Sequence, residues 1–480
     1  MMPYIIAFSI LGGVALLFVA YLIIVACVDT RKRSTKDMPR KGASEQEVEK
    51  YTEILSKMVG CKTVYDENNT NKAEYDRFYN IIAESFPLLT KKAIKHDFDG
   101  CFVYEINGKN ATKNILLMSH HDVVDEEGEW NTPAFEPTII DGALYARGTI
   151  DTKTPLFAEL MATEELLSEG YDFEGINLFI GSSNNEEVAG DGIPKALKYF
   201  KERGLHFECV LDEGGAIVQK MMPGVKEKSA MVAVHEKGRH KYTCIATKAV
   251  KGHTGLNPTK DYPVERLSQF IVEVKKSLVL KKKFVLEVEG LFRTHAPYMP
   301  FVLRLIMSNL SIFKGLLLAI LGKISPVVEA MLQTTMSFTK ISGDNNRAEA
   351  TAFFRCLREE DLMIEIEEFK KIASKYDIEI VEAERDYCKP SSADTPQFDR
   401  LKSVLNDIFP DIIVSPYLLT AGTDARHLGE VSDCILRFAP IDLDTKQYAS
   451  IHNVNEHIKL KNVGECVKFY KEFVKRSALK

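Results

Sequence analysis

An α/β fold is predicted for this chain: a mainly parallel sheet flanked by helices, an inserted smaller α+β domain, and one N-terminal transmembrane helix ahead of both. Three features predict it. Short apolar runs alternate with helical periods from about residue 100 to 215, as in strands joined by crossover helices. The texture changes at about residue 238 and returns from about 390. The run from Tyr4 to Val28 carries no charge; at ~1.5 Å per residue it is long enough to cross a ~30 Å hydrocarbon core.

Taken in order, residues 1–44 read as an anchor and a basic linker. A cleaved signal peptide is the competing reading. The absence of basic residues before the run, its length, and the lack of an A-x-A site favour a retained span. Arg31, Lys32, Arg33, Lys36, Arg40 and Lys41 follow it, and that asymmetry places the body on the cytoplasmic side. An amphipathic helix, SEQEVEKYTEILSKMV, opens the main body, with Ser44 as its cap. NILLMS (114–119), INLFIGS (176–182) and ECVLDE (208–213) read as strands, separated by helices at 154–170 and 192–204. Residues 238–386 read as the inserted domain, with strands in HKYTCIATKAV, TTMSFTKIS and EATAFFRCL and a helix at 359–376. Within it, 300–332 is strongly apolar, but Arg304, Lys314 and Lys323 interrupt it too often for a second span. A helix near 396–408, the strand ILRFAPI (435–441) and a helix near 461–475 close the main domain, which comprises 45–237 and 387–480.

Composition narrows the functional classes. The chain has 480 residues, with 62 basic against 68 acidic side chains for a net charge of −6, so no polycationic surface for nucleic acid is expected. Nine cysteines without a C-x-x-C pair argue against a disulfide framework or a zinc knuckle and favour a reducing compartment.

The polar clusters fall where the strands end: His120-His121-Asp122, Asn184-Asn185-Glu186-Glu187, and Asp212-Glu213 before two glycines. Ligands of open α/β sheets bind at such carboxyl ends. In H-x-D, alternation turns His120 and Asp122 the same way, and a carboxylate beside a liganding imidazole fixes its tautomer. Adjacent Glu186 and Glu187 diverge, so one can ligate metal while the other moves a proton. Each residue also has a plainer reading: a loop histidine for His120 or His452, a helix cap for Asp151, a turn for Asp212, a surface pair for the glutamates. Their joint occurrence at strand ends shifts the balance towards a site.

The order SHHDVV, ARGTIDTK, NNEEVAG, LDEGG, GHTG, AGTDARH and SIHNVNEH resembles one superfamily, that of zinc-dependent acetylornithine deacetylase, succinyl-diaminopimelate desuccinylase, aminoacylase and carboxypeptidase S. It is most similar to the carboxypeptidase S branch, which includes membrane-anchored members. The resemblance implies two divalent metal ions, expected to be Zn²⁺, with Mn²⁺ or Co²⁺ able to substitute. It implies His120, Glu187, Asp212 and His452 as ligands, with Asp151 bridging and Glu213 as the alternative to Asp212. Asp122 would orient His120, Glu186 would be the general base, and His253 would stabilise the oxyanion, often from across a homodimer. That would make the inserted domain a lid or dimerisation element. Arg355, Gly422 and Arg426 match positions near the substrate carboxylate. The chain departs from the pattern at GDNNRAEATAFFR, which is shortened and lacks the usual proline, leaving Asn345 or Asn346 for the family's asparagine.

The expected protein is thus a membrane-anchored amidohydrolase of peptides or N-acyl amino acids with a free carboxylate. A deacetylase or desuccinylase of small metabolites, and a non-catalytic binding protein on the same scaffold, are the alternatives. The resemblance pulls against the cytoplasmic placement, since relatives in this branch act in lumenal or extracellular spaces.

Overall fold

Ile115 to Met118 are buried without a break, so this run has no solvent face and lies at the centre of a sheet. The computed structural model describes residues 2–68, 70–247, 262–324 and 326–478. In it Lys113–His120 runs parallel to Ile176–Ser183 on one side and to Cys209–Asp212 on the other. Ile435–Arg437 extends the sheet, parallel to Cys209–Asp212. Cys101–Ile106 pairs antiparallel with Ile176–Ser183, and Ile94–Phe98 forms the edge beyond it. Towards the other edge, Lys228–Glu236 pairs parallel with Ile412–Leu419. The strand expected over 435–441 stops at Arg437, just short of Pro440, which has no N–H to give a ladder.

Helices cover both faces. Lys153–Ser168 is buried along most of its length between the sheet and the closing helix Leu460–Ala478. Ser44 caps Glu45–Val59 through a reciprocal capping box with Glu47. Gly192–Glu202 packs on the opposite face through Ile193, Ala196 and Phe200.

A separate antiparallel sheet has the order Thr335–Gly343, Arg347–Cys356, Gly238–Thr247, Glu379–Asp386. Pro263–Ser277 and Glu359–Ser374 cover one of its faces. Asn345 and Asn346 lie at the exposed tip of the hairpin between its first two strands. His253, with its GHTG motif, lies outside the described residues.

The apolar segment leaves the small sheet and packs elsewhere. Leu286–His295 and the helices after it share a core with Met222, Met231, Ile413 and Leu418 of the large sheet's region. The apolar N-terminal helix, Met2–Asp29, docks here too: Asn309 Nδ2 donates to the Leu22 carbonyl at 3.2 Å, and Ser308 Oγ donates to Asp29 at 2.7 Å. The basic stretch after it is strapped to the body. Lys36 N–H donates to the Pro410 carbonyl, and Arg40 grips Asp411 through two bonds and Asp442 through a third.

The Asp212 strand ends in two glycines for steric reasons. Gly214 adopts φ +116°, and a Cβ on Gly215 would collide with the carbonyl oxygens of Met231 and Arg437. Gly215→Ala should therefore destabilise the fold by roughly 1–3 kcal/mol through overpacking. A drop of several degrees in the thermal midpoint, larger than for Gly204→Ala on an open turn, is the expected readout.

Candidate metal centre and active site

Each strand-end loop is fixed by a carboxylate accepting backbone N–H groups. Asp122 accepts from Glu186 N–H (3.1 Å) and Glu187 N–H (3.0 Å), joining the first two loops. Its Oδ1 also lies 3.4 Å from His120 Nδ1. Asp212 accepts from Glu213 N–H and Ala425 N–H, both at 2.9 Å. Glu456, fully buried, accepts from Gly148, Ile150 and Asp151 N–H and from Arg147. Sequence reasoning missed Glu456; its only signal was the lone carboxylate inside SIHNVNEH.

The residues these loops present converge. Asp151, whose peptide bond to Thr152 is cis, uses one carboxylate oxygen for each of two histidines. Its Oδ1 is 3.0 Å from His120 Nε2 and its Oδ2 is 2.9 Å from His452 Nε2. His452 Nε2 is also 3.2 Å from Glu187. Ligand atoms of His120, Asp151 and Glu187 lie within 4.8 Å of one another. His452 holds φ +56°, a left-handed conformation that costs a histidine energy and aims its ring inward. His121 turns away, stacking on Phe78 at 5.1 Å and bonding Ser182.

The site is short of positive charge. Burial, then the Asp424, Asp122 and Glu187 charges, push Glu186 well above the usual carboxylate range, against the pull of His120. Burial and Asp151 raise Glu187, and burial and Asp212 raise Glu213. Burial lifts Asp212 to about 7 and Asp424 to about 6. Hydrogen bonds that His452 donates to Asp151 and Glu187 lift its pKa to about 10. Glu187 Oε1 is buried without a partner. Divalent cations fit this donor set of imidazole nitrogens and carboxylate oxygens, and they would reverse the carboxylate shifts.

Asp212 and Glu213 separate clearly. Both oxygens of Asp212 are engaged by backbone N–H groups, whereas Glu213 lies in the field of Asp151, His120 and Glu186. The geometry thus favours Glu213 over Asp212 as a further ligand.

The predicted substrate residues also converge. A Cβ on Gly422 would come within 3.0 Å of Arg355 Nη1, and that nitrogen is buried without a hydrogen-bond partner. Burial and nearby Arg239 lower the Arg355 pKa. Arg426 is already engaged: its Nε donates to Asp386 at 2.7 Å and its Nη1 to the Thr423 carbonyl. Its Nη1 also lies 4.0 Å from Glu186 Oε1 and from Asp424 Oδ1. Beneath this loop Glu236 accepts from Thr423 N–H, Thr423 Oγ1 and the buried Arg437. Asp424 was legible within AGTDARH but was not singled out.

Imidazoles and carboxylates gathered at the carboxyl ends of a mainly parallel sheet, beside a second antiparallel sheet, define a hydrolase of the metallopeptidase type. The description "Peptidase family M20/M25/M40" matches residues 116–476, and the chain belongs to that family. It is 28% identical over 451 residues to an N-fatty-acyl-amino acid synthase/hydrolase, PM20D1.1, of Danio rerio, covering 90% of this chain and 87% of that one. It is 27% identical over 443 residues to a probable carboxypeptidase S-like 2 of Dictyostelium discoideum, covering 88% and 84%. The M20 family metallo-carboxypeptidase Sso-CP2 of Sulfolobus solfataricus shares the fold with a TM-score of 0.65 at 19% identity, covering 91% of this chain and 100% of that one.

Metal content after Zn²⁺ loading tests the ligand geometry. Asp151→Ala and Glu187→Gln are expected to lose bound metal, and Glu186→Gln to keep it. Glu213→Gln should retain less metal than Asp212→Asn; the reverse order would return the ligand role to Asp212.

Proposed function

We propose that the protein is a membrane-anchored, dinuclear metal-dependent amidohydrolase that cleaves C-terminal peptide bonds or N-acyl amino acids bearing a free carboxylate. The observation that carries this reading is Arg355 Nη1, buried without a hydrogen-bond partner beside Gly422, in the loop whose Arg426 lies 4.0 Å from Glu186. A buried guanidinium N–H left unpaired is costly, and a substrate carboxylate answers it through paired hydrogen bonds. The relatives' names fit this reading: an N-fatty-acyl amino acid and a peptide C-terminus both end in an α-carboxylate.

His120, Asp151, Glu187, His452 and Glu213 would hold the two ions, Zn²⁺ or its substitutes Mn²⁺ and Co²⁺, with Asp151 shared between them. When bound, these ions polarise the scissile carbonyl and acidify water towards neutral pH. Asp122 holds His120 and the Glu186–Glu187 backbone in place. Glu186 takes the proton of the attacking water and passes it to the leaving amine. Arg426, spanning Glu186 and Asp386, keeps the base near the carboxylate end of the substrate. His253 completes the set as the oxyanion donor, an interaction worth ~3 kcal/mol in comparable sites. Glu186→Gln should therefore abolish nearly all turnover while metal stays bound.

The carboxylate clamp predicts that matched acid and primary-amide substrates differ at least about a hundredfold in kcat/KM, or ~2.7 kcal/mol. Arg355→Ala should remove most of that difference, whereas equal rates on acid and amide would end this reading. For topology, the basic residues after the N-terminal helix favour a cytoplasmic body. Protease added to intact cells should then leave the body uncut until lysis. Digestion without lysis would place it outside.

A further inference from the structure

The helix Leu310–Ile324 is apolar on two opposite faces. Leu310, Phe313, Leu317 and Leu321 pack into the body. Ile312, Leu316 and Ile320, spaced by four, form an outward stripe flanked by Ser311, Gly315 and Ala319, with Lys323 at its end. The preceding helix, Phe301–Ser308, adds Phe301 and Val302; Val302 is 69% exposed and Leu316 56%. The two helices bend by 108° at Asn309, so the pair lies across the body rather than crossing a bilayer as one span. A helix with an outward apolar stripe opposite its buried face calls for a second apolar surround.

The neighbouring element identifies that surround. The N-terminal helix is fixed to this pair by the Asn309–Leu22 and Ser308–Asp29 bonds. Arg33 lies over the Tyr298 ring and donates to the Pro297 carbonyl. Residues 13–21 of that helix are exposed, and among its described side chains burial begins at Leu22. From Met2 to Tyr21 it measures about 30 Å at ~1.5 Å per residue, which is the thickness of a bilayer's hydrocarbon core. If that length fills the core, the bilayer surface falls at the level of Leu22, Asn309 and the outward stripe.

We propose that Phe301–Ser308 and Leu310–Ile324 form a second membrane contact, a shelf embedded in the bilayer interface beside the N-terminal helix. The inference rests on reading that helix as a span. The shelf shares its core with Leu286–His295, which packs on the strand Ile412–Leu419, and that strand leads to the Gly422–Arg426 loop of the site. Its occupant is lipid, whose acyl chains cover Ile312, Leu316 and Ile320.

Trp130 is the sole tryptophan, so Trp130→Phe gives a silent background in the full-length chain. Into it go Val302→Trp and Leu316→Trp on the shelf, Tyr21→Trp on the N-terminal helix, and Ile364→Trp as an exposed control on the small domain. Each protein is reconstituted into phosphatidylcholine–phosphatidylglycerol vesicles, with the thermal midpoint confirming an unchanged fold. Interfacial helices sit ~5–10 Å into the headgroup and acyl boundary, so lipids brominated high on the chain should quench both shelf positions by about half or more. Aqueous iodide should quench them little and the control strongly. Iodide quenching of the shelf positions equal to that of the control would overturn the proposal. So would protection from both quenchers, which would mean that protein covers the stripe. The Tyr21→Trp protein reports the span separately: quenching there without quenching on the shelf removes only the shelf, and the converse removes only the span.

Discussion

Negative charge concentrated at one end of a sheet is the constraint around which this molecule is arranged. Asp122, Asp151, Glu186, Glu187, Asp212, Glu213, Asp424 and Glu456 crowd into a region with two imidazoles and few other cations. Six of them fall into two sets. Asp122, Asp212 and Glu456 spend their oxygens on backbone N–H groups, so each ties down a loop and has part of its charge answered by peptide dipoles. Asp151 and Glu187 remain directed at the histidines, and Glu213 lies in their field. The outer set makes the loops stiff, and that stiffness lets the inner set be held close despite its repulsion.

The same division explains what could be read from the sequence. Strands with no solvent face, such as Ile115–Met118, declare themselves by uninterrupted apolar residues, and the chemistry collects at their ends. The Ser44 cap, the His120–Asp122 alternation and the turning away of His121 follow from local rules. Ile412–Leu419 was hidden because Pro416 interrupts it, which its edge position tolerates. Lys228–Glu236 was passed over because its alternation is blurred by burial on both faces. Asp212 and Glu213 could not be told apart in one dimension; the distinction comes from Ala425, far along the chain, which donates to Asp212. Glu456 was invisible for a similar reason, since its partners lie about three hundred residues earlier.

The junction between the two sheets is also built from long-range contacts. Glu236 ends a strand of the large sheet and Gly238 begins a strand of the small one. Between them Lys237 turns its ammonium onto the carbonyls of Ala330 and Gln333 and the hydroxyl of Thr335, and burial lowers its pKa to about 7. Glu236 meanwhile holds the Thr423 loop and Arg437. One dipeptide therefore links the Thr423 loop, the end of the apolar segment and the start of the small sheet.

The strapped basic stretch after the N-terminal helix determines how the body is carried. A flexible tether would let the catalytic part swing and roll, sampling every height within reach. Here Arg33 is clamped at Tyr298, Lys36 at Pro410, and Arg40 at Asp411 and Asp442, leaving no slack. A body mounted this way keeps one altitude and one tilt relative to its helix. On the proposed reading of Met2–Asp29 as a membrane span, a solute that itself resides in the lipid would find the catalytic mouth by a search in a plane, with the docking angle already set.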